Sequence, residues 1–169
     1  MYQKDIGELP TQDTFNSSAE TFKKAILSYF SGAIDCGKGT ENTACMYATG
    51  SGTNNPYRNY SNSTEALRTK LDDGQFIVTD GMMYFFENPG TGGNIYVSVD
   101  VNGFKKLPNR WGHDLFTFEL TDTGKLLPMG AVGTMYEKNA DSYCSKTSTS
   151  SLNGIACTNR ALYDQSFWK

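Results

Sequence analysis

Three residues in this chain have the side chains and spacing to hold a metal ion. Asp100, Asn102 and Asp114 offer the carboxylate and carbonyl oxygens that a hard cation such as calcium takes as ligands. The order Asp100-x-Asn102-Gly103 starts like an EF-hand loop but departs from it. The glycine comes at the fourth place instead of the sixth, and Trp111 stands at the twelfth, where an acidic residue belongs. The competing reading is structural: Asn102-Gly103 makes a hairpin turn, and Asp100 and Asp114 accept backbone N–H groups within the loop. The turn preference of Asn-Gly favours this second reading.

Other residue types suggest chemistry and then fail on spacing. His113 is the only histidine and adjoins Asp114, but a serine hydrolase also needs a positioned nucleophile and an oxyanion hole. No Gly-x-Ser-x-Gly occurs, and neighbouring residues on a strand or turn point apart, so His113 is expected to be an exposed loop residue. Asp72-Asp73 and the pair Glu119 and Asp122 have no spacing that places them as an acid and a base, and they are expected to be solvated beside turns. No phosphate-binding glycine loop is present. Tyr57-Arg58-Asn59-Tyr60, and Asn159-Arg160 with Tyr163 and Trp168, are aromatic-basic groups that could stack on bases or sugars. Aromatic side chains mainly serve burial, so packing is the favoured role for both groups. No catalytic constellation emerges, and the chain is not expected to be an enzyme.

The four cysteines, Cys36, Cys45, Cys144 and Cys157, are an even count in a polar, loop-rich chain, which points to disulfides and an oxidising compartment. Three pairings are possible. Loop-closure entropy favours the local one, Cys36–Cys45 with Cys144–Cys157. Each bridge would contribute about 2–3 kcal/mol. Zinc is disfavoured because there is no Cys-x-x-Cys and a single histidine.

The elements that must position these residues follow from composition and period. The chain has 169 residues, 17 of them glycine, with 10 tyrosines and 10 phenylalanines. That length suits one domain, and the mixture favours strands, turns and long loops. A net charge of −3 argues against a general nucleic-acid binder and supplies no basic anchor for anionic lipid. No apolar run approaches the length of a membrane span, and the first ten residues do not read as a signal peptide.

Phe15, Ala19, Phe22, Ile26, Tyr29, Phe30 and Ala33 recur at helical steps, predicting an amphipathic helix over about 14–34, with Lys23 and Lys24 facing solvent and Gly37 and Gly39 ending it. Residues 37–63 read as loop and 64–70 as a short helix or turn. Gln75–Thr79 and Met82–Phe86 flank Asp80-Gly81 as a hairpin. Asn94–Val99, Leu115–Leu120 and Lys125–Pro128 continue as strands, and Ala161–Tyr163 with Phe167-Trp168 suggest a final helical turn packing back on the sheet. A helix followed by an antiparallel meander of four to five strands is an α+β arrangement.

The spacing Asp100-x-Asn102-Gly103-x-x-x-x-Pro108-Asn109-x-x-Gly112-x-Asp114-x-Phe116, with Asp122-x-Gly124-Lys125-x-x-Pro128-x-Gly130 behind it, resembles the C-terminal half of type IV pilins and type II secretion pseudopilins. The resemblance implies a single pilin-like domain over 1–169: the helix at about 14–34, a variable loop at about 35–75, the sheet at about 76–129, and a C-terminal region at about 130–169 closed by Cys144 and Cys157. It implies a structural subunit of an extracellular pilus or pseudopilus filament that serves adhesion, motility or secretion. The partners would be other pilin subunits and the assembly machinery, with no general nucleic-acid binding. The alternative within the family is a minor pilin that binds DNA, a glycan or a partner protein. The family's hydrophobic N-terminal helix and leader are not in this sequence, so membrane anchoring before assembly is expected through a segment missing here. Pseudopilins often carry calcium in a loop near the end of the sheet, and Asp100, Asn102 and Asp114 are the matching positions. A secreted calcium-dependent enzyme is the reading from another class, and the missing catalytic residues weigh against it.

Overall fold

The computed structural model describes residues 21–38, 56–88 and 94–169. Helix α1 (Thr21–Leu27) precedes a six-stranded sheet of β1 (Ile34–Asp35), β2 (Gly74–Ile77), β3 (Met83–Glu87), β4 (Ile95–Asp100), β5 (Leu115–Leu120) and β6 (Leu126–Pro128). Helix α2 (Cys157–Tyr163) follows near the end of the chain. The strands pair in chain order and every pairing is antiparallel. The α+β meander is thus present, with one strand more than the sequence predicts.

Side-chain alternation divides the sheet into two buried faces. Tyr84 opposite Val99, Phe86 opposite Val97 and Ile95 opposite Leu120 lie on one face, where they pack with Phe76 under Phe22 of α1. Met83, Phe85, Tyr96 and Leu115 point the other way, into a core with Tyr57, Trp111, Met129, Ile155 and Ala156. The two-residue period of a strand makes this division unavoidable once one face is fixed. Ser98 and Thr117, directly opposite each other, bond through their hydroxyls at 2.7 Å, and the Trp111 indole N–H donates to Thr117 at 3.0 Å. The Ser98, Thr117 and Trp111 polar groups of this second face are therefore satisfied inside it.

The N-terminal helix differs from expectation at its end. It stops at Leu27 instead of running to Ile34, and its start before Thr21 lies outside the described residues. Successive turns follow, and Gly32 takes a positive φ of 74° that helical residues do not adopt. Phe30 leaves the helix to pack 5.3 Å from the rings of both Phe76 and Tyr84. Ile34-Asp35 can then pair with β2, which supplies the sixth strand. Lys23, expected in solvent, is 1% exposed and holds Asp35 at 2.7 Å. Its stem covers Gly74, where an added Cβ would meet the lysine chain at 2.8 Å. The stretch expected as a variable loop, 35–75, contains β1 at its start, a short 3-10 helix at Arg68–Lys70 and the first residues of β2. Residues 39–55 of that stretch lie outside the described ones.

Cys144 and Cys157 form a disulfide, as the local pairing requires. Cys36 is also disulfide-bonded, and Cys45 lies outside the described residues. Among the described residues, no helix is long and apolar enough to cross a membrane.

The buried acidic residues are not where the sequence suggests. Glu119, expected in solvent, is buried and accepts the Asn94 side-chain N–H at 2.8 Å and the Met135 backbone N–H at 2.7 Å. Glu87, at the end of β3, is 7% exposed and lies beside Asp72 and Asp73, with Lys70 at 3.5 Å. Burial pushes the Glu87 carboxyl up to about 7, and repulsion from the two aspartates adds to this while Lys70 opposes it. The folded chain therefore holds this proton more tightly than the unfolded chain. The resulting stabilisation is complete below the ordinary carboxylate range and is lost as pH rises through about 7. Urea denaturation between pH 5 and pH 8 should show stability falling by about 1–3 kcal/mol from this group. Glu87→Gln should flatten that part of the profile, and an unchanged slope would remove the assignment.

Candidate functional site

The predicted oxygen ligands come together in the connection from β4 to β5. Asp100 ends β4 and Asp114 immediately precedes β5, and the two are 0% and 2% exposed. Asp100 falls on the second face of the sheet because Ile95, Val97 and Val99 occupy the helix face. One of its oxygens accepts the backbone N–H groups of Asn102 at 3.1 Å and Gly103 at 2.9 Å. The other accepts the Tyr57 hydroxyl at 2.6 Å. Asp114 accepts the N–H of Asn109 at 2.7 Å through one oxygen and the N–H of Arg110 through the other. Its peptide oxygen also accepts from Val101 N–H at 2.9 Å, so the two ends of the connection are joined directly.

The turn residues of the sequence explain this path. Gly103 has φ 79°, and an added Cβ would meet the Gly81 carbonyl oxygen at 2.4 Å, so only glycine fits between the two hairpin ends. Asn109 has φ 48°, a conformation asparagine tolerates better than most residues, and its side-chain N–H donates to the Phe104 carbonyl at 2.6 Å. Residues 56–60 run alongside, with Arg58 N–H donating to Asn109 O at 2.8 Å and Trp111 N–H to Arg58 O at 3.1 Å.

Electrostatics follow from burial. Desolvation raises the Asp100 carboxyl above its usual range, against the lowering effect of the Tyr57 and backbone hydrogen bonds. Tyr57 is pushed well above the usual phenol range by burial and by the Asp100 charge, so it remains a hydrogen-bond donor. Every carboxylate oxygen of the pair already holds a donor, which is the arrangement of a backbone clasp. Two acceptors do lack donors: the side-chain carbonyl oxygens of Asn102 and Asn109 are buried with no hydrogen-bond partner. They are oxygens of the kind calcium takes, so the set fits a hard cation in chemistry, while the path of the chain is accounted for without one.

No protein-family model, curated protein or solved structure matches this chain.

The remaining candidates separate. His113, expected to be exposed, is half-buried: its ring lies 5.3 Å from that of Tyr60, and the Arg110 guanidinium bonds its Nε2. Burial and then the Arg110 charge lower its pKa below the usual histidine range. Asp122 is exposed while Glu119 is buried, yet the two border one recess and the Asp122 charge adds to the burial that raises the Glu119 carboxyl. The two aromatic-basic groups are regrouped. Tyr57 turns inward to Asp100, while Tyr60 joins Phe167 and the neighbourhood of Trp168. Tyr57 and Asn109 are the clasp residues that sequence reasoning did not select. The Pro108-Asn109 step was a visible signal for Asn109, but nothing local announces Tyr57, which meets Asp100 across 43 positions.

Proposed function

We propose that this chain is the extracellular portion of a type IV pilin-like or pseudopilin-like filament subunit, with structural rather than catalytic work. The observation that carries the reading is the Asp100–Asp114 clasp. Its carboxylates are turned inward and hold backbone N–H groups, in the same spacing that resembles the pilin family. A catalytic carboxylate must face a substrate, and these two do not. The α1-on-meander arrangement and the tail closed by Cys144–Cys157 support the same reading. In the filament, copies of this chain would be the main partners. An apolar segment ahead of this sequence would form the stem, held in the membrane before assembly and packed at the filament axis afterwards.

Antibodies raised against this chain should label filaments sheared from intact cells, and the coding sequence upstream should specify a prepilin leader and apolar stem. Recovery of the protein only as a free secreted monomer with an ordinary secretion signal would overturn the proposal.

A second reading adds a calcium ion to the clasp, and the unpartnered side-chain oxygens of Asn102 and Asn109 favour it. The residues that would hold it are Asp100, Asn102, Asn109 and Asp114, and its contribution would be to rigidify the connection. Its test is whether the melting temperature responds to calcium and to EGTA.

A further inference from the structure

On the side of the molecule near the Cys144–Cys157 bridge, four rings form a ladder. His113 lies 5.3 Å from Tyr60, Tyr60 stacks on Phe167 at 5.7 Å, and Phe167 meets Trp168 edge-on at 4.9 Å. Trp168 is 58% exposed and yet held in place. Its indole N–H donates to the Ala161 carbonyl at 3.0 Å, and its ring also lies against Phe116 at 6.3 Å. A large ring kept rigid and in contact with water gives up contact area at little entropic cost when a ligand covers it.

Three adjoining recesses, of about 260, 250 and 200 Å³, open along this ladder, and Tyr60 and Lys146 border all of them. The surrounding charge is positive. Lys146, Lys169 and Arg110 have no carboxylate ion pair among the described residues, and the Arg110 Nε is buried with no acceptor. Arg160 borders the smallest recess and is engaged only loosely, at 3.8 Å from Asp141 and 4.0 Å from Asp164. The same recesses carry neutral hydroxyls. Ser61 donates its proton to Ser148 O at 2.6 Å and meets the Ser63 hydroxyl at 2.8 Å, while Ser166 donates to Asp164 at 2.6 Å, which leaves the Ser166 oxygen able to accept.

We propose that this surface binds an acidic sugar residue of a glycan. A sugar ring presents a C–H face to an aromatic ring, a hydroxyl donor to the Ser166 oxygen and a carboxylate to the lysines and Arg110. Single-stranded nucleic acid would also stack on aromatics, but it needs a continuous cationic track. Here a few cations gather round small adjoining recesses on a chain of net charge −3. The Cys144–Cys157 bridge and Gly112, whose added Cβ would lie 2.7 Å from the Tyr60 ring, keep the platform fixed. The proposal does not depend on the filament reading, because a free secreted chain would carry the same surface.

The chain has two tryptophans, of which Trp111 is fully buried, so a change in intrinsic fluorescence on ligand binding reports chiefly on Trp168. Titration with tetragalacturonate or sialyllactose should give a saturable change, and lactose should give none. Lys146 is exposed, so Lys146→Glu should fold normally, as judged by circular dichroism, and bind about tenfold more weakly. Trp168→Phe should lose the signal but retain binding by calorimetry. Absence of saturation with both acidic sugars, or equal binding by Lys146→Glu, overturns the proposal. Tighter binding of oligothymidylate than of either sugar also overturns it, and assigns the surface to nucleic acid.

Discussion

Asp114→Ala lowers the unfolding free energy by about 2–5 kcal/mol in urea denaturation, because two backbone donors lose their acceptor at once. The N–H groups of Asn109 and Arg110 both end on this carboxylate, and the side chain is almost fully buried, so water cannot take its place without opening the loop. Asp114→Asn should fall between wild type and alanine, since an amide keeps one acceptor and turns a donor toward the other N–H. Asp122→Ala, on the exposed turn after β5, should stay within about 0.5 kcal/mol. A loss of similar size for Asp114→Ala would show that the clasp is not what orders the connection. The same melts run in calcium and in EGTA decide the calcium reading. A rise with calcium that disappears in Asp114→Ala supports a bound ion, and a wild-type melt indifferent to both leaves the clasp as a purely backbone device.

Removing the Cys144–Cys157 bridge, by the double serine substitution, should lower stability by about 3 kcal/mol. The bridge joins residues 13 apart, and both cysteines pack in a cluster with Tyr60 and Phe167. Cys157 opens α2, fully buried, with its sulfur 3.0 Å from where a Gly112 Cβ would be. The loop between the two cysteines has its own supports. Asn153 donates to Ser145 O at 2.9 Å and Ser148 O at 2.8 Å, and Asn59 reaches Ser150 O at 3.0 Å from a distant part of the chain. The variant should therefore still fold and unfold in one transition, at lower denaturant. A change below about 1 kcal/mol would mean that the asparagine bonds already hold the tail and the bridge serves another end.

The strands were legible because their period is local. Gln75–Phe86 alternates about an Asp80-Gly81 turn, and in the structure Asp80 accepts the Met82 N–H at 3.0 Å while Gly81 takes φ 93°. The early end of α1 was not legible, because Phe30 and Lys23 are placed by contacts with Phe76, Tyr84 and Asp35, which a helical period does not contain. Glu87 and Glu119 are buried for the same reason: Lys70, Asn94 and Met135, the groups that satisfy them, come from other parts of the chain. Of the candidate site, Asp100, Asn102 and Asp114 were readable from an Asn-Gly turn and its flanking acids. The inward turn of Tyr57 was not, since it depends on which face of β4 carries Asp100.

The clasp also separates what the β4–β5 connection is anchored by from what it displays. Its ends are joined by Asp100, Asp114 and the Val101 N–H, and its approach to β5 by Asn109. Between these anchors, Lys105, Lys106, Leu107 and Pro108 lie at the surface, and Leu107 is 82% exposed. Little of the fold's energy resides in the side chains of Lys105, Lys106 and Leu107, so their identity can change while the frame stays. The connection works as a mount with an interchangeable face: a surface whose chemistry can be rewritten without renegotiating the core beneath it.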